Sequence, residues 1–150
     1  MEYQQGNIGR GFAVKFDDKD DFINCLNELV KKEKIKVGVI LFIGAIEKAQ
    51  VVVGPKKIEI PPIPIWTSFE DGRELLGIGT ILWDNNEPKI HLHSAIGREK
   101  DVLIGCLRKD TKVYLIIEAI ILELTNIELK RKYNQDFNIS MSEFEQNNLR

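Results

Sequence analysis

Cysteine and histidine are both scarce in this 150-residue chain, with two of each. Cys25 and Cys106 cannot build a disulfide framework, and free thiols point to a reducing compartment. A basic excess is missing too: 21 Lys and Arg stand against 23 Asp and Glu, a net charge of −2. Phosphate neutralisation supplies most non-specific nucleic-acid affinity, so a dedicated DNA binder is disfavoured. The polar start, Met1 to Gly11, lacks the basic-then-apolar order of a secretory signal. The longest apolar run, Val113 to Leu124, is interrupted by Glu118 and Glu123 and is too short to cross a bilayer. A cytoplasmic location is therefore expected. Gly77 and Gly79 have no GxGxxG spacing, no following helix and no Walker lysine, which excludes a nucleotide-binding loop. Strand glycines of this kind permit close backbone approach or a bulge.

What is present suits a globular protein: 43% hydrophobic and 29% charged residues, with Gly and Pro not enriched. A domain of this length buries enough surface to fold without disulfides or a structural metal. Neither a repeat nor a low-complexity linker interrupts it, so one domain over residues 1–150 is expected, its core at about 11–133. Phe12 to Phe16 alternates as a strand. From Asp20 to Lys34 the apolar residues Phe22, Ile23, Leu26, Leu29 and Val30 recur at helical spacing. The acidic start and basic end of that segment suit the helix dipole. This predicts one long helix, with Cys25 on its apolar face. Strand patterns follow at Val37–Ile43 and Ala45–Val53 around a turn at Gly44, then at Lys57–Ile60, Glu74–Trp83, Lys89–Ile96, Val102–Leu107 and Lys112–Leu124. Trp66 and Trp83 read as packing or interface residues. After Tyr133 the polar tail predicts a ragged, mobile end. Many strands and one helix give an α+β fold with a mostly antiparallel sheet.

His91 and His93 are the only histidines in the chain. At i and i+2 on a strand they share a face, roughly 6.5–7 Å apart along the chain, and can converge on one ion. Cys106 falls on the next predicted strand, where a hairpin partner can approach. Zinc accepts imidazole and thiolate in tetrahedral sites, and these three ligands leave a fourth position for water or a ligand. The competing reading is a surface or interface histidine pair beside an ordinary buried thiol. Glu118 shares a strand face with Tyr114, Ile116, Ile120 and Leu122, so apolar groups should surround its carboxylate. A buried charge needs a partner or a raised pKa. Glu118 is thus either a general acid–base candidate or half of an ion pair with Arg73, Arg98, Arg108 or Arg131. The basic run Lys130-Arg131-Lys132 reads as a solvated end.

Four segments in order carry a family resemblance: the strand ending in Gly44-Ala45, Glu74-Leu75-Leu76, His91-Leu92-His93 and Gly105-Cys106-Leu107. Together they resemble the plant and prokaryote conserved (PPC) domain, whose motifs include His-Leu-His and Gly-Gly-His-Leu. Two departures stand out: Ile104 replaces the first glycine of the second motif, and Cys106 replaces its histidine. Plant members add an Arg-Gly-Arg-Pro hook for the DNA minor groove; Gly9-Arg10-Gly11 is not that motif. The resemblance implies an α+β domain that forms homotrimers, with zinc as the cofactor at His91, His93 and Cys106. The fold is also similar to that of acetolactate decarboxylase, a zinc enzyme with three histidine ligands. Three roles follow as expectations. The first is a metal-binding module for a small molecule or partner protein; the rivals are a DNA-associated regulator and a metal-dependent lyase.

Overall fold

A computed structural model describes residues 1–145. It contains β1 (Asn7–Asp17), α1 (Phe22–Glu33), β2 (Gly38–Pro55), β3 (Pro64–Asp84), β4 (Glu87–Arg98), β5 (Asp101–Thr125), β6 (Leu129–Asn134) and β7 (Ile139–Phe144). Every strand pairing is antiparallel. The main sheet runs β1-β5-β2-β3-β4, and the first part of β5 also pairs with β4, so the sheet closes on itself. The fold is mostly antiparallel sheet with one short helix.

The helix is shorter than the predicted Asp20–Lys34 because both ends are capped. Asp21 stays extended and its side chain accepts from the Asn24 N–H; Lys34 turns left-handed, and its N–H bonds back to the Lys31 and Val30 carbonyls. Phe22, Leu26 and Val30 are fully buried on one helical face. Phe22 meets Phe16 edge-on at 4.9 Å between ring centroids and Phe42 at 5.0 Å. Around them Ile40, Ile46, Ile81, Leu92, Ile96, Ile117 and Ile121 form the core, all on the helix-covered face of the sheet. Cys25 packs at the edge of this core, and burial pushes its thiol pKa up. Trp83 is a packing residue: its indole N–H donates to the Ile35 carbonyl at 2.6 Å, and the Lys36 ammonium sits 3.6 Å from its ring centre. Trp66 is half exposed.

Four sequence expectations need correction. Gly44 is no turn: it lies inside the continuous strand β2 at φ +145°, opposite a bulge at Leu115 and Ile116. A Cβ at Gly44 would stand 2.7 Å from the Ile117 Cα, so only glycine lets β5 bulge there. Similarly, Val102–Leu107 and Lys112–Leu124 belong to one long strand, β5. Lys57–Ile60 forms no strand, because this stretch leads into the proline-rich bend before Pro64. The tail beyond Tyr133 is not ragged as far as Phe144. It pairs Leu129–Asn134 with Ile139–Phe144 as a hairpin, which packs on β3; the tail's last five residues lie outside the described residues.

Among the described residues, no helix is long and apolar enough to cross a membrane. Arg10, in the one segment near a minor-groove motif, is held on β1. Its guanidinium donates to the Glu123 carboxylate at 2.7 and 3.0 Å and to the Glu33 carbonyl at 2.8 Å.

Candidate metal centre

Strand pairing puts the three candidate ligands on one face. His93 lies directly opposite Cys106 on β5, and His91 lies opposite Thr80 on β3. Register is thereby fixed by backbone hydrogen bonds on both sides of β4. Gly79 lets the strands approach: a Cβ there would sit 2.6 Å from the His91 carbonyl oxygen. Cys106 also pairs with Val52 of β2, so the point where the sheet closes is the point where the thiol sits.

The His91 and His93 Nε2 atoms are 3.1 Å apart, and the two nitrogens and the Cys106 sulfur all lie within 4.8 Å of one another. Nitrogen donors around tetrahedral zinc stand about 3.3 Å apart, so the imidazoles already have nearly that spacing. The thiolate needs only a modest side-chain adjustment to complete a three-ligand set. Cys106 is 3% exposed, His91 is intermediate and His93 is open to solvent. The cluster therefore has a buried floor and an accessible mouth. Burial, then the charges of His93, Arg131 and Arg108, pull the His91 pKa down to about 4. That imidazole is neutral at physiological pH, as a ligand must be. Burial raises the Cys106 pKa, partly opposed by Arg108 and Arg131, so a metal bound there would have to displace the thiol proton.

Arg131 is the neighbour that sequence reasoning placed wrongly. Instead of a solvated end, its guanidinium is half-buried against the cluster, donating to Thr80 Oγ1 at 3.1 Å and approaching His91 Nδ1 at 3.4 Å. Forty residues separate it from His91, and only the β6–β7 hairpin brings it there. No sequence signal other than the basic run itself could have located it.

Glu118 shares the cluster's sheet face but is exposed, and it is not one of the clustered groups. The expectation of a carboxylate enclosed by apolar groups therefore fails. Its neighbours Ile116 and Ile120 are themselves exposed, because nothing among the described residues covers that face. Nor does the expected ion pair form: Arg73 pairs with Asp71 and Asp101, and Arg98 pairs with Asp71. Arg131 is spent on Thr80 and His91.

The same face carries Leu41, Ile43, Leu76, Ile78, Ile104 and Ile120, all exposed; Leu76 is 63% and Ile104 67% exposed. Isolated exposed apolar residues are ordinary, but a contiguous set on one sheet face marks an interaction surface.

No curated protein matches the chain. Among solved structures, a metal-containing protein from Archaeoglobus fulgidus is similar at TM-score 0.82 and 20% identity, covering 94% of this chain and 98% of that one. A plant- and prokaryote-conserved (PPC) protein from Pyrococcus horikoshii is similar at TM-score 0.80 and 21% identity, with 97% and 99% covered. A provisionally assigned DNA-binding protein from Bacteroides thetaiotaomicron follows at TM-score 0.77 and 22% identity, with 95% and 100% covered. These likenesses establish the fold. The family itself is shown by the sequence, which matches the Plants and Prokaryotes Conserved (PCC) domain over residues 3–125, so the chain belongs to that family.

Proposed function

We propose that this chain is a zinc-binding, homotrimeric module that receives a small molecule at a centre formed by His91, His93 and Cys106. The observation that carries the reading is the convergence of two imidazole nitrogens and one sulfur within 4.8 Å on one rigid sheet face. Nitrogen and sulfur donors in this ratio suit zinc, and three protein ligands leave one position open. The metal-containing neighbour from Archaeoglobus fulgidus supports the same direction.

Binding is favoured over lyase chemistry by what surrounds the donors. No carboxylate joins the cluster among the described residues, so no general base stands beside the open position. A thiolate ligand also halves the charge of a zinc ion, which weakens its pull on a developing oxyanion. DNA binding is disfavoured by the net charge of −2 and by the engagement of Arg10 within the fold.

The homotrimer rests on the open apolar face. Leu41, Ile43, Leu76, Ile78, Ile104 and Ile120 stay exposed in one chain, and a closed ring of copies would cover them. Elemental analysis of chelator-free protein, followed by reloading with zinc or cobalt, tests the centre. About one metal per chain is expected. Protein that takes up none of zinc, cobalt or nickel overturns the metal reading. Light scattering at micromolar concentration should give about three times 17.2 kDa; a persistent monomer overturns the assembly.

A further inference from the structure

Two arginines stand beside the donor cluster without a carboxylate partner among the described residues. Arg131 reaches Thr80 Oγ1, His91 Nδ1 and, weakly at 3.5 Å, the Ser140 carbonyl. Arg108 is two positions beyond Cys106 on β5, close enough that its charge acts on His91, Cys106 and Arg131 alike. Most other cations near acids on this surface are paired: Arg10 with Glu123, Arg73 with Asp71, Lys19 with Glu47. Placing two guanidiniums together, one of them half-buried, is costly unless an anion joins them.

A loaded centre would sharpen this imbalance. A divalent ion with one thiolate keeps one positive charge, and the two arginines add to it, with no acid in the cluster. His91 adds a stereochemical reason. An imidazole bound to metal through Nε2 carries its proton on Nδ1, and such protons normally face an acceptor. Here Nδ1 faces a guanidinium, itself a donor. A metal at Nε2 would therefore turn the Arg131 contact from attractive to repulsive and leave its N–H groups for another acceptor.

Room for that acceptor exists. Arg108 also lines a hollow of about 620 Å³ whose walls include Val52, Pro62, Trp66 and, from the β6–β7 hairpin, Ile139. Val52 is the cross-strand neighbour of Cys106, so the hollow adjoins the cluster. Its mostly apolar walls and a half-exposed indole suit a small organic body, with the charged end directed toward the arginines.

We infer that the centre takes a small organic carboxylate, its carboxylate held by Arg108 and Arg131 at the open metal position and its apolar part in the hollow beside Trp66. The inference rests on the metal reading above and names the ligand class of that same site. Arg131 stands on the β6–β7 hairpin, beyond the residues 3–125 that match the family, whereas Arg108 lies within them.

The test uses the full chain loaded with cobalt, whose visible spectrum reports on the fourth ligand. Pyruvate and benzoate are titrated as carboxylate probes, with phosphate as a separate arm, into wild type, Arg131→Gln and Arg108→Gln. Metal content and circular dichroism of each variant are recorded alongside. The expected result is a saturable spectral change with a carboxylate in wild type. Either variant should keep its metal and fold but bind that carboxylate more weakly, on the order of tenfold to a hundredfold for one charged hydrogen bond. Metal-loaded wild type that ignores both carboxylates, prefers phosphate, or binds them no better than the two variants overturns the inference and leaves the metal centre intact. A chain that takes up no cobalt overturns both.

Discussion

The two faces of the main sheet obey the same alternation and reach opposite ends. On one face Ile40, Phe42, Ile81, Leu92 and Ile121 are sealed beneath α1 and each other. On the other face, Leu41 and Ile43 of β2, Leu76 and Ile78 of β3 and Ile120 of β5 are exposed. The side chains are of one kind; the difference is that the described residues form a single helix, and it covers one face. Apolar content alone therefore does not locate a core. The covered face stabilises the single chain, while the open face would stabilise only the proposed assembly and carries the donor cluster at its edge.

That contrast can be broken most sharply by substitutions on each face. Phe22→Ala removes a fully buried ring wedged between Phe16 and Phe42 and should cost about 3–5 kcal/mol, the usual range for an emptied aromatic site. Chemical denaturation should show the loss at every protein concentration. Ile78→Asp acts on the open face, where the side chain is half exposed in one chain. It should leave the circular dichroism of the chain native and lower the scattering mass from about three chains to one. If Ile78→Asp unfolds the chain as Phe22→Ala does, the two faces are not separable in this way.

Much of the covered face was legible in the sequence. The spacing of Phe22, Leu26 and Val30 marked the helix, and alternation through Leu92 and Ile96 marked β4. Alternation also put Glu118 correctly on a face with Tyr114 and Ile120. It failed on burial, because alternation says which residues share a face and nothing about what covers it. Three other features could not be read. The bulge at Leu115 and Ile116 depends on what lies across the sheet from Gly44. The β6–β7 hairpin is hidden at β6, whose Lys130-Arg131-Lys132 centre lacks apolar alternation, although Ile139-Ser140-Met141-Ser142 of β7 has it. Arg131 meets His91 only because that hairpin folds back. By contrast, the His91, His93 and Cys106 cluster could be anticipated, since i, i+2 spacing and one hairpin were enough to bring those residues together.

A smaller effect separates the ligands within the cluster. Metal must displace the thiol proton of Cys106, whose pKa burial raises, whereas His91, at about 4, is already neutral above roughly pH 5. Upward from neutral pH, zinc affinity should therefore rise with pH, by up to about tenfold per unit for one released proton. The rise should continue past the ordinary thiol pKa of about 8.5 before levelling. Competition with a chromophoric chelator at several pH values measures the slope. Cys106→Ser should flatten it over that range while weakening binding; an equally steep slope in that variant would show that another group supplies the proton.

The smallest expected effect is at Arg131, and it runs in the opposite direction to the loss of a ligand. In the metal-free chain the guanidinium approaches Nδ1 of His91, favouring the tautomer with its proton on Nε2, the atom that would bind metal. That proton lies between the two Nε2 atoms, 3.1 Å apart, and has to leave before both can ligate. The positive charge of Arg131 also opposes an incoming cation. Replacing Arg131 by Gln removes the charge and lets His91 turn its proton to Nδ1 without a cation facing it. Zinc affinity of Arg131→Gln, measured without added carboxylate, should therefore rise about threefold to tenfold, the scale of one like charge removed at the edge of a partly solvated site. Added carboxylate should reverse the order, because wild type recovers the lost affinity through its arginines and the variant cannot. A variant with lower zinc affinity and no carboxylate dependence would mean that Arg131 mainly buttresses the hairpin against β3.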